Sequence, residues 1–361
     1  MPQEEMSVFR GVTRRDFLKF CGGIAVLIGL GSAGTTRVAE ALEAMAKRPS
    51  VVWSSFQECT GCAISLLQSR TPQVANLILQ QISLDYQENV MAAAGDAADA
   101  QFKDIVDKGG FYWVVEGAIP TKIPEAMAVA GKTAGEITKA TYPKAAATIC
   151  IGSCSCYGNI QAANPNPTGA VGVSDFLKAN GVANPVVINI ARCPGNGEDL
   201  IAALSYVLVT GKVPPLDSIG RPLFLYGTTI HDSCFRRGHF EAGEFAESYN
   251  DPNISEAYCL YKLGCKGPVT YAPCGNTMWN GHVSWCVHNA PCIGCSEPKF
   301  WDELTPFTQQ LPGIGPFPAQ TIGEVIGAAA VVGIGVHAVA SAATGRFGHR
   351  EPPPASESER R

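Results

Sequence analysis

The chain has 361 residues, a formal net charge of −5 and only 16% charged residues. This length gives room for two domains with cores of their own, and a weakly acidic chain without a basic face is a poor nucleic-acid binder. The 38 glycines and 25 prolines indicate many turns and loops. Most of the 14 cysteines stand in short groups beside glycine or proline, a pattern typical of iron–sulfur proteins.

Residues 1–46 have the features of an export signal. Arg14 and Arg15 precede an apolar stretch at 20–30, and Ala-x-Ala at 44–46 is a plausible cleavage site. Paired arginines at this place are typical of the twin-arginine (Tat) route. An ordinary Sec signal and a basic N-terminal helix are the alternatives. Because the Tat route carries folded proteins, a cluster can be installed before export, and the cysteines need not form disulfides.

Residues 47–215 alternate short apolar runs with stretches of helical pattern. This alternation predicts βαβ units, and hence an α/β fold with a parallel sheet covered by helices. The predicted strands are 51–53, 111–115, 145–151 and 185–191. The predicted helices lie around 63–68, 101–108, 123–130 and 198–209.

Cysteines directly follow three of these predicted strands. Cys59 and Cys62 form a Cys-x-x-Cys pair, Cys154 ends a Gly-Ser-Cys segment, and Cys193 begins Cys-Pro-Gly. The carboxyl ends of parallel strands meet at one edge of a sheet, so we expect the four thiols to converge there. Four thiolates suit a 4Fe–4S cluster, and structural zinc is the alternative.

Residues 216–312 lose the regular periodicity and are rich in aromatic residues and cysteine. This region carries a mixed set of one imidazole and three thiols, which are His231, Cys234, Cys259 and Cys265. One imidazole in place of a thiolate makes a cluster less anionic and raises its potential. The same set also fits a zinc site with three cysteines and one histidine.

A third set follows in the same region. Cys274, Cys292 and Cys295 supply three ligands, which suit a 3Fe–4S cluster, and Cys286 could supply a fourth and complete a 4Fe–4S cluster. Cys150, inside an apolar strand, is interpreted as a small buried hydrophobe.

Residues 319–345 are predicted to form a transmembrane anchor. From 322 to 343 the ionisable residues are Glu324 and His337 alone, and as a helix this stretch measures about 33 Å against a hydrocarbon core of about 30 Å. Basic residues in the disordered tail, 346–361, place that tail in the cytoplasm and the body outside. A buried amphipathic helix is the alternative. His337, near mid-span, is a candidate haem ligand or a hydrogen-bonding partner of a neighbouring helix.

Several common catalytic motifs are missing from the sequence. It has no Gly-x-Gly-x-x-Gly fingerprint at a strand–helix turn and no phosphate-binding loop, and no nucleophile motif stands out. The sequence therefore predicts an electron conductor without a catalytic centre of its own.

These motifs closely resemble those of the small subunit of NiFe hydrogenases, of the exported, membrane-anchored type. The resemblance extends from the paired arginines to the C-terminal span. It is carried by the segments Glu58-Cys59-Thr60-Gly61-Cys62, Gly152-Ser153-Cys154, His231-Asp232-Ser233-Cys234, Cys259-Leu260-Tyr261-Lys262-Leu263-Gly264-Cys265 and Pro291-Cys292-Ile293-Gly294-Cys295. By this resemblance the three sets hold the proximal, distal and medial clusters in that order. The implied fold is a flavodoxin-like domain followed by a small irregular iron–sulfur domain.

The resemblance also implies partners and a location. A NiFe-containing large subunit would split H2, and this chain would pass electrons through the proximal, medial and distal clusters to a membrane cytochrome b or a related quinone-reducing subunit. His337 would then be a haem b ligand, and the body would lie on the periplasmic side of the cell membrane. A stand-alone multi-cluster carrier and the cluster subunit of a quinone reductase are the alternatives.

Two departures from the family pattern bear on the clusters. The position of Cys286 is usually a proline in this family, with a 3Fe–4S medial cluster, so cysteine there predicts a 4Fe–4S medial cluster in this chain. Oxygen-tolerant relatives carry two extra proximal cysteines. Here Gly61 stands at one of those places and Cys156 does not fall at the other, so the resemblance implies an ordinary 4Fe–4S proximal cluster.

Overall fold

The computed structural model describes residues 48–70, 82–279, 290–311 and 319–344, together with a few isolated positions outside these ranges. Cys286, the predicted tail at 346–361 and most of the predicted export signal at 1–46 lie outside the described residues. The predicted domain limits, 47–215 and 216–312, stay predictions.

Strands occur mainly in the first half of the described chain. They are β1 (Ser50–Ser55), β2 (Ser83–Gln87), β3 (Tyr112–Glu116), β4 (Ile119–Pro120), β5 (Ala128–Val129), β6 (Lys132–Thr133), β7 (Ala147–Ile151), β8 (Ala170–Val171) and β9 (Ile188–Ile190). Five of them form one parallel sheet in the order β2-β1-β3-β7-β9. This is the strand order of flavodoxin-like sheets, and the predicted α/β class is confirmed.

Some of the helices cover the two faces of this sheet, and others lie later in the chain. In chain order they are α1 (Gly61–Leu67), α2 (Asp96–Lys108), α3 (Ala134–Thr141), α4 (Gly152–Tyr157), α5 (Val173–Ala179), α6 (Gly197–Thr210), α7 (Leu223–Tyr226), α8 (Ile230–Ser233), α9 (Arg237–Glu241), α10 (Phe300–Glu303) and α11 (Ala319–Ala343). Trp53 packs in a buried cluster with residues of α1 and α6, whereas its neighbour Val52 packs with residues of α2, α3 and α5. Successive strand side chains point to opposite faces, so each face has its own core.

The predicted strands agree with β1, β3, β7 and β9 to within about three residues at each end. Sequence reasoning missed β2, because Ser83-Leu84-Asp85-Tyr86-Gln87 carries too few apolar residues to stand out as a strand. This strand lies at one edge of the sheet, where it pairs with β1 alone. An edge position requires less burial, which explains the weak pattern.

The helix predicted at 123–130 is wrong. The structure has a single 3₁₀ turn at Pro124–Ala126, followed by the hairpin of β5 and β6. Ala130 and Gly131 connect the two strands, and both have positive φ angles, 49° and 75°. A two-residue connection of this kind closes a tight hairpin, and it cannot continue a right-handed helix.

Between residues 212 and 311 the described chain forms short helices, turns and isolated bridges. The 3₁₀ turns of this region are Pro252–Ile254, Tyr261–Leu263, Gly267–Val269 and Pro273–Gly275. Some of its residues, such as Ile230 and Cys274, join the large core on one face of the sheet. Two further apolar clusters hold only a few residues each, and one of them includes Cys259. The expected irregular region is therefore present.

The C-terminal part contains α11, where the sequence predicted a transmembrane anchor at 319–345. In the part of the chain that the structure describes, no helix has both the length and the apolar character needed to cross a membrane. The side chains of Val331, Ile334 and Val339 are each about 70% exposed.

Candidate iron–sulfur sites

The first set of cysteines lies at the carboxyl edge of the sheet. Cys59 and Cys62 stand at the start of α1, directly after β1. Cys154 lies in α4, which follows β7, and Cys193 follows β9. Since these strands belong to one parallel sheet, three distant segments bring their cysteines to the same edge.

Hydrogen bonds connect these thiols to one another through neighbouring donors. The side-chain amide nitrogen of Asn159 lies 3.2 Å from Sγ of Cys154 and 3.4 Å from Sγ of Cys193. The backbone amide of Gly195 donates to Sγ of Cys62 over 3.2 Å. Sequence reasoning missed Asn159, since a single asparagine in a loop carries no signal of its contacts.

Glycines allow the backbone to approach these sulfurs closely. Gly152 has a φ angle of 84°, and a Cβ added there would lie 2.5 Å from Sγ of Cys62. A Cβ at Gly61 would lie 3.2 Å from Sγ of Cys59. The space around the thiols is therefore closed to extra side chains and lined by N–H donors. Such a nest fits a thiolate-bound iron–sulfur cluster, whose sulfurs accept hydrogen bonds.

Glu116, the last residue of β3, supports this site from within the core. Its carboxylate accepts hydrogen bonds from the backbone amides of Cys62 and Ala63, over 3.0 and 3.4 Å, and from the indole of Trp53, over 3.2 Å. Burial, and then the charge of Glu58, raises the pKa of Glu116 to about 7. Glu116 directly follows the predicted strand 111–115, and no sequence motif indicates a role for it.

The second set of ligands surrounds one small cavity. His231, Cys234, Cys259 and Cys265 all line it. Helix α8, which carries His231, is closed at its N-terminus by a reciprocal capping box between Thr229 and Asp232. His231 packs edge-on against Phe240, with ring centres 4.6 Å apart. The imidazole and the three thiols thus converge, although they come from separate turns.

Arg236 holds this second site together. Its side chain donates hydrogen bonds to the carbonyls of Tyr258, over 2.8 Å, and His288, over 2.7 Å. Its charge interacts with the thiols of Cys234, Cys259 and Cys265. A fixed cation beside a thiolate-bound cluster stabilises the added negative charge of the reduced form.

The third set is fully enclosed. Cys274 and Cys292 are 1% exposed and belong to the same apolar cluster, and the thiol of Cys295 interacts with that of Cys274. The amide of Gly294 donates to Sγ of Cys292 over 3.3 Å. Because Cys286 lies outside the described residues, the structure brings together three cysteines of this set.

Direct contacts join the three sets in series. The hydroxyl of Ser153, next to Cys154, donates to the carbonyl of Cys295, which links the first set to the third. Cys193 also packs against Cys295 in one apolar cluster. The backbone amide of Lys266, next to Cys265, donates to the carbonyl of Cys292 over 2.7 Å, which links the third set to the second. The third set therefore lies between the other two.

Burial raises the pKa of several thiols, and each of the three sets has at least one of them. The pKa of Cys62 lies well above its ordinary value, because of burial first and the charge of Glu116 second. Burial raises the pKa of Cys154 and Cys295 to about 12, and that of Cys259 and Cys265 to about 11. Iron binds the thiolate, so metal binding at these sites must displace protons.

Within the described residues, no three histidine, cysteine or carboxylate side chains are placed to hold a single metal ion. The ligands of a cubane stand farther apart than those of one ion, because four irons lie between them. His337, the candidate haem ligand, lies on α11 with its side chain exposed.

Two family models match successive parts of the chain. The model described as NADH ubiquinone oxidoreductase, 20 Kd subunit, matches residues 59–207. The model for the C-terminal part of the NiFe/NiFeSe hydrogenase small subunit matches residues 226–308. The first match contains the first thiol set, and the second contains the other two.

Curated relatives and a solved structure resemble the chain over most of its length. The periplasmic NiFe hydrogenase small subunit of Solidesulfovibrio fructosivorans is 48% identical over 85% of this chain and 96% of its own. The quinone-reactive Ni/Fe-hydrogenase small chain of Wolinella succinogenes is 39% identical over 92% and 96%. A reduced, active form of the Ni-Fe-Se hydrogenase from Desulfomicrobium baculatum matches with a TM-score of 0.68 at 37% identity, over 73% of this chain and 100% of that chain.

Proposed function

Since this chain belongs to the small-subunit family of NiFe hydrogenases, we propose that it conducts electrons for such an enzyme. Its partner is a large subunit that holds the NiFe centre, where H2 is oxidised. The chain itself has no residues that act on H2, and its work is to hold redox centres at fixed positions. The names of the curated relatives, which are hydrogenase small subunits, support this assignment.

One observation carries the proposal, and it is the contact of the three thiol sets in series. The hydroxyl of Ser153, beside the first set, donates to the carbonyl of Cys295 in the third, and the amide of Lys266, beside the second set, donates to the carbonyl of Cys292 in the third. Electron transfer between centres depends on short paths of bonds, and these contacts supply one across each gap. A chain whose sets had separate structural roles would not need that arrangement.

The proposed ligands follow from these sets. The proximal 4Fe–4S cluster takes Cys59, Cys62, Cys154 and Cys193, the distal 4Fe–4S cluster takes His231, Cys234, Cys259 and Cys265, and the medial cluster takes Cys274, Cys292, Cys295 and Cys286. With Cys286 the medial cluster is of the 4Fe–4S type. When bound, these clusters supply one-electron redox chemistry. The protein donates backbone amide hydrogen bonds to the thiols of Cys62, Cys265 and Cys292.

A quinone-reductase cluster subunit is the second candidate function. The match of the 20 Kd subunit model to residues 59–207 favours it. That match ends before both sets of the irregular region, which the hydrogenase model covers at 226–308. The first candidate accounts for all three sets, and the second accounts for one.

The electron exit and the location complete the proposal. A twin-arginine signal exports the folded chain, α11 attaches it to the membrane, and a cytochrome b or related quinone-reducing subunit accepts the electrons, with His337 as a haem b ligand. The quinone-reactive relative and the exposed aliphatic side chains of α11 support this. Truncation after Pro318 should then release the body into the soluble periplasmic fraction, and continued membrane retention would contradict the anchor.

Purification of the native assembly tests the central claim. The chain should co-purify with a nickel-containing partner, reduce a dye with H2, and carry about twelve cluster iron atoms with as many acid-labile sulfides, besides the iron of the NiFe centre. A stand-alone carrier would elute without nickel and without H2-dependent activity. Iron for a single cluster would overturn the proposal in favour of the quinone-reductase candidate.

A further inference from the structure

Arg192 lies at the junction between the first and third thiol sets. It follows β9 and directly precedes Cys193, and its side chain is fully buried. The guanidinium lies over the indole ring of Trp279, 4.6 Å from the ring centre, and donates to the carbonyl of Thr277 over 3.3 Å. Its Nε lies 3.2 Å from a carboxylate oxygen of Asp199, which is also buried. Desolvation of a fully buried ion pair costs free energy, and this cost points to a role for the pair.

The guanidinium also lies close to the medial ligands. Thr277 and Trp279, which it contacts, follow Cys274 by three and five residues. Trp279 packs in the same buried cluster as Cys274 and Cys292. After Asp199, the groups whose negative charge acts on Arg192 include the thiols of Cys274 and Cys295.

One end of the guanidinium also lacks a hydrogen-bond acceptor. Among the described residues, Nη2 of Arg192 has no partner although it is buried. An unsatisfied buried donor on a charged group costs more than about 1–3 kcal/mol. An anionic cluster held by Cys274 and Cys295 would lie beside this group, and its sulfurs accept hydrogen bonds.

We infer that Arg192 is the positive charge that raises the reduction potential of the medial cluster. The inference rests on the proposed function, because it takes the medial site to hold an iron–sulfur cluster. Reduction adds one negative charge to a cluster that is already anionic, and a buried cation stabilises the reduced form more than the oxidised form. Arg192 is a positioning residue in this sense, since it acts on the redox centre without being a ligand.

Potentiometric titration of the purified holoenzyme, followed by electron paramagnetic resonance, tests this role. Arg192→Gln should favour the oxidised medial cluster by roughly tenfold at a fixed potential, which is about 59 mV for a one-electron couple. Arg192→Lys keeps the charge and should shift the potential less. Asp199→Asn removes the opposing charge and should shift it upward. The distal cluster, which Arg192 does not adjoin, should keep its potential in all three variants.

The outcomes separate this inference from the proposed function. An unchanged medial potential in Arg192→Gln with full iron content, or an equal shift in Arg192→Lys, would mean that Arg192 serves packing alone. If Arg192→Gln loses the cluster, Asp199→Asn decides, and a potential that does not rise refutes the inference. A wild-type enzyme without three clusters would instead refute the proposed function.

Discussion

The sheet region, residues 50–210, and the irregular region, residues 212–311, hold their thiols in different ways. In the sheet region, strand ends fix the positions of four cysteines, and an apolar core on each face stabilises those strands, with Cys62 as the one member of the set that joins a core. In the irregular region, short turns and the loops between them carry the predicted ligands, and Cys259 is itself part of a small core with Phe245 and Tyr261. The first region can therefore fold mainly around its own side chains. On the proposed function, the second would depend more on its metal clusters.

Removal of iron should produce the largest difference in stability between the two regions. Chelation under reducing conditions should leave the backbone amides of β1, β3 and β7 protected from hydrogen exchange. Amides of residues 226–308 should lose far more protection, because much of their apolar contact lies in small clusters that cannot offset the conformational entropy of ordering. Hydrogen exchange with mass spectrometry measures both regions at once. Simultaneous loss of protection in both would show that the sheet also depends on metal.

Replacement of one ligand should have the next largest effect. Cys286→Pro should reduce the iron content by one atom per chain and produce a 3Fe–4S signal in the oxidised enzyme, as measured by metal analysis and electron paramagnetic resonance. Cys150→Ala is the matched control, since this buried cysteine lies in the core of the sheet region and should leave the iron content unchanged. A strong 3Fe–4S signal in the wild type would contradict a 4Fe–4S medial cluster.

In the sheet region, substitution of Glu116 should also lower the stability of the protein. Glu116→Ala leaves three buried donors without their acceptor and should lower the free energy of unfolding by on the order of 3 kcal/mol. Glu116→Gln keeps an acceptor oxygen and should cost less. Urea denaturation followed by tryptophan fluorescence measures the difference. Equal effects of the two variants would show that the carboxylate charge, and not its acceptor geometry, stabilises the site.

The smallest effect compares two capping boxes, one in each region. Thr133 caps α3 in the sheet region, and Thr229 caps α8 in the irregular region. Thr133→Ala and Thr229→Ala should each lose about 1 kcal/mol. Only Thr229→Ala should also alter the spectrum of the distal cluster, because α8 carries His231. Identical spectra in both variants would argue that α8 is fixed by its cluster and not by its cap.

How much the sequence revealed also differs between the two regions. Apolar runs located β1, β3, β7 and β9, and cysteines after three of them predicted where a site would lie. The helix predicted at 123–130 is wrong, because hydrophobic periodicity over so few residues does not distinguish a helix from a hairpin. Here the hairpin is closed by Ala130 and Gly131. In the irregular region, sequence motifs predicted the ligands but did not predict any helix or strand.

The contacts that organise the sites were beyond the reach of sequence patterns. Asn159 joins Cys154 to Cys193, and Ser153 joins the sheet region to Cys295 across 142 positions of the chain. Such long-range pairs leave no local periodicity. Arg192 looked like an ordinary residue before a Cys-Pro-Gly segment, and only its buried environment distinguishes it.

The contacts with Cys295 also limit how the molecule can move. Two regions of one chain usually swing relative to each other unless their interface is extensive. Here the hydroxyl of Ser153 donates to Cys295 on the far side of the boundary, and Cys193 packs against the same residue. A hinge at that boundary would have to break both contacts, so the distance between the first and third thiol sets stays constant. Electron transfer through the protein would then require no conformational change.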